Sequence, residues 1–235
     1  MGEPVIELEL YLVRHGESRS NIGLGDPADV KAQQDPPLSD KGERQARLLG
    51  EFYANMEFDC ILSSGLTRAL QTAEAVAARQ AKAKTVEAHP VFTECGTSVS
   101  LGVKTIEEIR ADFPFAVPAF GTDEHGSFVF TEDDPPDERR FARAKEAVAY
   151  LRGRFHNGEK VMVTAHANFN TFFVFAALGL PPDPGFDVAF LNTGVTKFIF
   201  FAPGTGRWDE DTHMIWHNNC AHLAGEFPKD ILTAW

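Results

Sequence analysis

Short apolar runs alternate with helical patterns along the 235-residue chain, and this alternation is the feature that most constrains its fold. The first run alternates from Ile6 to Val13 and stops at Arg14-His15-Gly16, as expected of a strand. Further apolar runs cover 58–62, 85–88 and 160–165. Strands that alternate with helices form a mostly parallel sheet that is covered on both faces. The sequence therefore predicts an α/β protein, a three-layer α/β/α sandwich with a mostly parallel central sheet.

The remaining pattern predicts one domain over residues 1–235. Helices are expected over 39–54, with Ser39 as the N-cap, and over 66–81, 105–112, 137–155 and 168–178. Late strands are expected over 188–191, 195–201 and 213–216. The less regular stretch at about 95–136 contains several Pro and Gly, and we interpret it as an insertion over the active site.

The charge of the chain argues against two classes of partner. A net charge of −12 and a pI of about 5.1 give a field that repels nucleic acid and anionic membrane surfaces. Acidic residues interrupt the apolar residues of 1–13, so no signal peptide is predicted, and no membrane span is found elsewhere. The three scattered cysteines, Cys60, Cys95 and Cys220, suit free thiols and a cytoplasmic location.

Polar side chains follow four of the apolar runs: Arg14-His15, Arg68, Glu94 and His166. The carboxyl ends of strands in an open α/β sheet line the ligand crevice, so these side chains are expected in one pocket. Arg14 and Arg68 suit the spread charge of a phosphoryl group. His15 suits a nucleophile, because much of a normal imidazole is neutral at pH 7. Glu94 suits a group that protonates the leaving oxygen and then activates water.

These residues lie in an ordered set of motifs that resembles a known family. Leu12-Val13-Arg14-His15-Gly16-Glu17-Ser18 with Asn21 resembles the opening motif of the histidine phosphatase (phosphoglycerate mutase-like) superfamily. Four further blocks are similar to later motifs of that superfamily: Pro37-Leu38-Ser39 with Gly42, Gln45 and Ala46; the run from Ser63 to Ala73; Phe92-Thr93-Glu94; and Thr164-Ala165-His166. The resemblance runs from about residue 10 to residue 192.

The resemblance implies a role for each matching residue. His15 would be the nucleophile, Glu94 the proton donor, and Arg14, Arg68 and His166 the ligands of the phosphate, with His166 also counted as catalytic. Asn21 would help to hold the phosphate. No cofactor and no metal are implied, because two arginines and a protonated His166 supply the positive charge. The implied substrate is a small-molecule phosphate ester, and the sequence leaves a homodimer open.

The chain departs from the family pattern at two places, and the first departure favours a phosphatase over a mutase. After the acid, mutases continue with Arg-His-Tyr-Gly, whereas this chain reads Cys95-Gly96-Thr97-Ser98. Ala167 stands where the family usually has Gly after the second histidine. The alternatives are mutase-type phosphoryl transfer and a catalytically silent phosphate-binding module on the same fold.

Two other features have competing interpretations. The spacing of His213, His217, Cys220 and His222 fits no strong zinc pattern, so we expect an irregular C-terminal segment over 216–222. Residues 111–138 contain acids but no Lys or Arg, which favours a solvated acidic loop. Under the alternative hypothesis, this segment covers the pocket and disfavours bisphosphorylated substrates.

Overall fold

A computed structural model of the chain describes residues 3–24, 35–95, 104–119, 137–206 and 211–232. Within these ranges seven strands form one sheet in the order β4-β3-β2-β5-β1-β6-β7. The strands are β1 (Ile6–Arg14), β2 (Cys60–Ser63), β3 (Val86–Ala88), β4 (Ala116–Pro118), β5 (Glu159–Ala165), β6 (Val195–Phe201) and β7 (Thr212–Asn219). The five strands from β4 to β1 pair in parallel, and β6 and β7 add to the sheet in antiparallel fashion.

Six α-helices are found in the described parts of the chain. They are α1 (Asp40–Phe52), α2 (Thr67–Ala77), α3 (Ile106–Asp112), α4 (Asp137–Arg154), α5 (Ala167–Ala177) and α6 (Pro228–Leu232). The predicted cap of α1 is confirmed, since the Ser39 hydroxyl accepts a hydrogen bond from the backbone N–H of Gly42 at 3.1 Å.

The period-two pattern of β1 divides the core into two layers. Leu8, Leu10 and Leu12 pack on one face with residues of α4 and α5. Tyr11 and Val13 pack on the other face with residues of α1, α2 and α3. The sheet is thus covered on both sides, which confirms the predicted three-layer sandwich.

The strand register brings the polar strand ends to one edge of the sheet. Arg14 of β1 pairs with Ala165 of β5, and Ser63 of β2 pairs with Thr164 of the same strand. The residues that follow these strands begin α2 and α5 after short turns. The candidate site residues therefore start from neighbouring points on a rigid, fully buried part of the sheet.

One predicted strand is wrong. Residues 188–191 form a loop, and neighbouring side chains satisfy its backbone groups. The carbonyl of Val188 accepts from the Thr171 hydroxyl at 2.9 Å, and the backbone N–H of Leu191 donates to the Asn218 side chain at 2.9 Å. The apolar composition of these residues indicates burial, but side-chain partners replace a strand ladder.

The stretch that the sequence assigns to an insertion is described only in part. Its described residues 104–119 contain α3 and β4, and β4 extends the parallel sheet beside β3. Residues 96–103 and 120–136, which include most of the acidic segment, lie outside the described residues. Among the helices that are described, none combines the length and the apolar character needed to cross a membrane.

Candidate active site

The turn after β1 fixes the ring of His15. The side chain is 3% exposed, and its backbone N–H donates to the carbonyl of Ala165 at 3.0 Å. Its Nδ1 lies 2.6 Å from the carbonyl oxygen of Gly16. A carbonyl only accepts, so Nδ1 carries the proton and Nε2 carries the lone pair. Burial lowers the pKa of His15 well below its ordinary value, and Arg68 and Arg14 lower it further. A nucleophilic imidazole must be neutral and must carry a lone pair on the attacking nitrogen, and the His15 ring meets both requirements.

Glycine is required where this turn meets α1. A Cβ atom on Gly42 would lie 1.9 Å from the carbonyl oxygen of Glu17, and one on Gly16 would lie 2.6 Å from that of Gly42. The turn is also bonded from α2, because the Gly16 N–H donates to the Thr72 hydroxyl at 3.0 Å. The glycine in the second motif therefore allows close backbone packing beneath the nucleophile turn.

Arg68 lies in the first turn of α2 and reaches His15. Its Nε donates to His15 Nε2 at 3.2 Å, and the side chain is 6% exposed. Burial lowers the pKa of Arg68, whereas the charges of Asp35 and Glu94 raise it. Within the described structure its buried Nη1 has no hydrogen-bond partner. The guanidinium is thus charged and buried from solvent, and it can donate to an anion beside His15.

Arg14 supplies a second guanidinium at the end of β1. Its Nη1 donates to the carbonyl of Phe190 at 2.6 Å, and its buried Nε has no partner among the described residues. Burial lowers the pKa of Arg14, Glu94 raises it and Arg68 lowers it. The opposed effects of Glu94 and Arg68 show that the three charges share one pocket.

His166 occupies the N-cap position of α5 and is fully buried. Its ring centroid lies 5.1 Å from that of His15. Neither ring nitrogen has a hydrogen-bond partner in the described part of the protein. Burial lowers the pKa of His166 well below its ordinary value, and the charge of Arg68 is the next largest cause. A second imidazole, neutral and with two open nitrogens, therefore faces the first.

Glu94 follows the short 3₁₀ turn Pro90–Phe92 and is 9% exposed. One carboxyl oxygen accepts the backbone N–H groups of Cys95 at 2.8 Å and Phe169 at 3.0 Å. Burial raises the pKa of Glu94, and these two hydrogen bonds offset part of the rise. The carboxyl group consequently holds its proton to higher pH than an exposed glutamate, which suits a proton donor.

Asn21 lies on the rim of the pocket, in the 3₁₀ turn Arg19–Ile22. Its side-chain oxygen accepts the backbone N–H of Ser18 at 3.0 Å and lies 3.5 Å from the Asn192 amide nitrogen. That amide nitrogen also donates to the His15 carbonyl at 3.1 Å. Asn21 is therefore connected to the nucleophile turn through Asn192.

The sequence matches the model of the histidine phosphatase superfamily (branch 1) over residues 10–209. The chain belongs to this superfamily. Over 70 residues it is 41% identical to a probable phosphoglycerate mutase, GpmB, of Salmonella choleraesuis (strain SC-B67). That match covers 30% of this chain and 31% of the mutase, so the chain spans about a third of the length of the curated relatives it matches.

Solved structures confirm the phosphoglycerate mutase-like fold of this chain. YhfR from Bacillus stearothermophilus superposes with a TM-score of 0.62 at 25% identity, over 92% of this chain and 99% of that one. A phosphoserine phosphatase from Entamoeba histolytica superposes with a TM-score of 0.60 at 22% identity, over the same shares of the two chains.

Asp35 is a buried residue near the site that sequence reasoning missed. Its carboxyl oxygens accept the backbone N–H of Thr67 at 2.7 Å and the Thr67 hydroxyl at 2.6 Å. Leu66, at the N-cap of α2, offers no side-chain cap, so Asp35 caps the helix from a distant segment. Burial raises the pKa of Asp35, and its charge in turn favours the cation on Arg68. The sequence signal was weak, an Asp before two prolines.

Arg143 was also missed, and it supports the segment that carries Glu94. Its Nη1 donates to the carbonyl of Thr93, and its Nη2 lies 3.4 Å from the carbonyl oxygen of Glu94. The guanidinium stacks over the Phe169 ring, with 5.6 Å to the centroid. Arg143 therefore fixes the acid from α4, and its position within a helical pattern gave no indication of that role.

A segment from Phe190 to Gly194 holds the nucleophile turn from the other side. The Thr193 N–H donates to the carbonyl of Arg14 at 2.9 Å, and the Gly194 carbonyl accepts the Arg14 N–H at 3.2 Å. Thr193 has a φ of 57°, a costly conformation for a β-branched residue. Its hydroxyl donates to the Asn192 carbonyl at 2.7 Å and lies 2.8 Å from His222 Nε2. His222 thus supports the segment that supports His15.

The C-terminal histidines serve the fold. The irregular segment expected over 216–222 is wrong in part, because β7 continues to Asn219 and only the residues after it leave the sheet. The two ring nitrogens of His217 lie 3.0 Å from the Thr196 hydroxyl and 2.8 Å from the Ala189 carbonyl oxygen. Burial lowers the pKa of His222 to about 4. Over the described ranges, no group of three or more His, Cys, Asp and Glu side chains is arranged to hold a metal ion. The three cysteines are buried free thiols, as predicted.

Proposed function

We propose that this histidine phosphatase hydrolyses phosphate monoesters without a metal ion, through a phosphohistidine at His15. The observation that carries the proposal is the pair of buried imidazoles 5.1 Å apart, with Arg68 bonded to one of them. His15 offers a neutral Nε2, and Arg14 and Arg68 offer unsatisfied N–H donors around it. This arrangement matches the needs of phosphoryl transfer, which are a positioned nucleophile and fixed positive charge around the phosphorus.

The first step forms the bond between His15 Nε2 and phosphorus and breaks the bond between phosphorus and the ester oxygen. Arg68 releases Nε2 and turns its donors to the phosphoryl oxygens. Glu94 gives its proton to the departing oxygen, which leaves as the alcohol. His166 is neutral without ligand, and a phosphate dianion beside it would raise its pKa and add a third cation.

The second step regenerates the protein. Glu94, now a carboxylate, takes a proton from a water molecule as that water attacks the phosphorus of phosphohistidine. The bond between phosphorus and Nε2 breaks, and inorganic phosphate leaves. Both steps use one carboxyl group, and the two arginines supply charge that a metal would otherwise bring.

The family relatives support hydrolysis and also keep one alternative in view. Solved proteins of this fold include the phosphoserine phosphatase from Entamoeba histolytica and a mycobacterial glucosyl-3-phosphoglycerate phosphatase, the latter at 24% identity. The partial match to the probable mutase favours the alternative, phosphoryl transfer between positions of phosphoglycerate. Cys95, which stands where mutases have an arginine after the acid, disfavours it.

Trapping the phosphoenzyme tests the proposal. After brief mixing with a ³²P-labelled monoester and quenching in alkali, the wild type should carry label that acid removes, as expected of phosphohistidine. His15→Ala should carry none, and chelation of divalent ions should leave phosphate release unchanged. An unlabelled wild type that still releases phosphate would refute the mechanism, whereas isomerisation of 3-phosphoglycerate without net release would favour the mutase.

A further inference from the structure

A cleft opens at Cys95, the residue that follows Glu94, and its described lining does not include the two buried imidazoles. Its volume is about 760 Å³, and its walls include Cys95 and Asn168. Cys95 follows Glu94 in the chain and bonds its carboxyl group, and the backbone of Asn168 also lowers the pKa of Glu94 by hydrogen bonding. Two residues that bond the Glu94 carboxyl group therefore also line the cleft, which places the cleft next to the group that we assign to the leaving oxygen. It is much larger than a phosphate and lies in the size range of sites for organic molecules.

The far wall of the cleft is aromatic. Phe172, Phe175 and Phe186 line it, together with two prolines of the loop after α5. The Phe186 ring packs edge-on against Phe175 at 5.8 Å, yet the Phe186 side chain is 55% exposed. Such an exposed ring at the mouth of a cleft gains apolar contact when an organic group enters.

Charge in the cleft has the opposite sign to charge at the phosphate end. Asp137, Asp183 and Asp187 line the cleft against one cation, Arg140, which pairs with Asp137 at 3.1 Å. The carboxylates of Asp183 and Asp187 accept backbone N–H groups of their own loop, at 3.1 and 2.8 Å. A second anionic group on the substrate would meet these carboxylates, whereas the phosphoryl group meets Arg14 and Arg68.

We propose that this cleft holds the leaving group of the substrate, and that it selects a monoester whose alcohol has an apolar, ring-sized body and no second anion. The inference rests on the proposed function, because the ester oxygen must lie next to Glu94 for that group to protonate it. The alcohol then continues between the walls that begin at Cys95 and Asn168. Its apolar body contacts Phe172, Phe175 and Phe186, and a substituent at its far end faces Asp183 and Asp187.

A series of benzyl phosphates tests the charge selection. Benzyl phosphate, its para-aminomethyl derivative and its para-carboxylate derivative have similar leaving oxygens and differ in the charge at the far end. We expect kcat/KM to be lower for the carboxylate than for the other two, by about tenfold, a modest electrostatic penalty. In the double variant Asp183→Asn with Asp187→Asn, this difference should shrink to less than about threefold. Glu43→Gln, an exposed acid on α1, is the control and should keep the full difference.

Matched truncations test the aromatic wall. Phe186→Ala should lower kcat/KM for benzyl phosphate by about fivefold, the loss expected for part of one apolar contact. Inhibition by inorganic phosphate, which fills only the phosphoryl end, should not change. Phe52→Ala is the control, because Phe52 is 53% exposed but lies at the end of α1. Both side chains are exposed, so neither variant is expected to lose its fold.

The outcomes separate this inference from the proposed function. A flat charge series, or equal effects of Phe186→Ala and Phe52→Ala, overturns the cleft assignment even if His15→Ala is inactive. If the wild type releases no phosphate, the proposed function fails, and binding of the non-hydrolysable benzylphosphonate decides the cleft. Binding that Phe186→Ala weakens and Phe52→Ala does not would support it, and binding that neither variant alters would overturn it.

Discussion

The two imidazoles of the site stand after neighbouring strands, yet the protein surrounds them differently. His15, after β1, has both ring nitrogens in hydrogen bonds, to the Gly16 carbonyl and from Arg68. His166, after β5, is equally buried, but within the described structure neither of its ring nitrogens has a partner. The His15 ring is held in a single tautomer before substrate binds, whereas the His166 ring can still donate one hydrogen bond and accept another.

The difference teaches which ring is prepared for chemistry and which for binding. A nucleophile needs its lone pair fixed in direction, and the Gly16 carbonyl achieves this by holding the proton on Nδ1. An unsatisfied buried polar group costs about 1–3 kcal/mol, a cost that a ligand removes when it bonds the group. His166 also occupies the N-cap position of α5, where the helix dipole favours an anion. We therefore propose that His15 attacks and that His166 binds an oxygen of the phosphoryl group.

Alanine substitutions of His15 and His166 should have the largest effects on activity, and the size of the loss should differ between the two residues. His15→Ala removes the proposed nucleophile, and we expect kcat to fall by at least about 10⁴-fold. His166→Ala removes one stabilising donor, so a fall of about 10²–10³-fold is expected. Steady-state release of phosphate from an aryl monoester measures both values.

The folded state of both variants is checked by circular dichroism and by thermal unfolding. Losses of equal size in the two variants would mean that the rings do not differ in role. A larger loss in His166→Ala would reverse the assignment of attack and binding.

Glu94→Gln tests the part of the proposed reaction that neither histidine performs, which is protonation of the leaving group. On an alkyl ester we expect kcat to fall by about 10²–10⁴-fold, the usual share of general acid catalysis. An aryl ester with an acidic leaving phenol needs less protonation and should lose much less. Burial raises the pKa of Glu94 above 4.5, and the acid form is the active one, so kcat/KM of the wild type should fall as pH rises through that raised pKa. The glutamine variant should lack this fall, and equal losses on both esters would exclude Glu94 as the acid.

Sequence reasoning placed the site residues whose position depends on strands. Arg14, Arg68 and His166 follow apolar runs, and parallel strands bring their carboxyl ends to one edge. The structure brings Arg68 and His166 to His15: Arg68 Nε lies 3.2 Å from His15 Nε2, and the two imidazole centroids are 5.1 Å apart. Their catalytic roles remain predictions that the variants above test.

What the sequence could not predict comes from segments without a periodic pattern. Asp35 precedes α1 in the chain, and its partner Thr67 is 32 positions away. The loop that contains 188–191 resembled a strand in composition, but its backbone bonds side chains, including the guanidinium of Arg14. Pairings of this kind depend on tertiary contacts between distant segments, and no local spacing in the sequence encodes them.

The smallest expected effect is on stability, and its test compares a buried histidine, His166, with an exposed one, His156. Burial lowers the folded-state pKa of His166, whereas an unfolded histidine titrates near 6.5. Below about pH 6.5 the unfolded chain therefore binds more protons than the folded one, and stability falls as pH decreases from 6.5 toward the folded value. His15, His89 and His222, whose pKa values are also lowered, contribute in the same direction.

His166→Gln removes one of these contributions, so its Tm should fall less than that of the wild type between pH 7 and pH 5.5, by about 2–4 °C for each kcal/mol removed. Replacing the exposed His156 with Gln is the matched control and should leave the slope unchanged. If His166→Gln and His156→Gln follow the wild-type curve equally, His166 does not resist protonation in the folded state, and the neutral form that we propose for its ring without ligand is wrong.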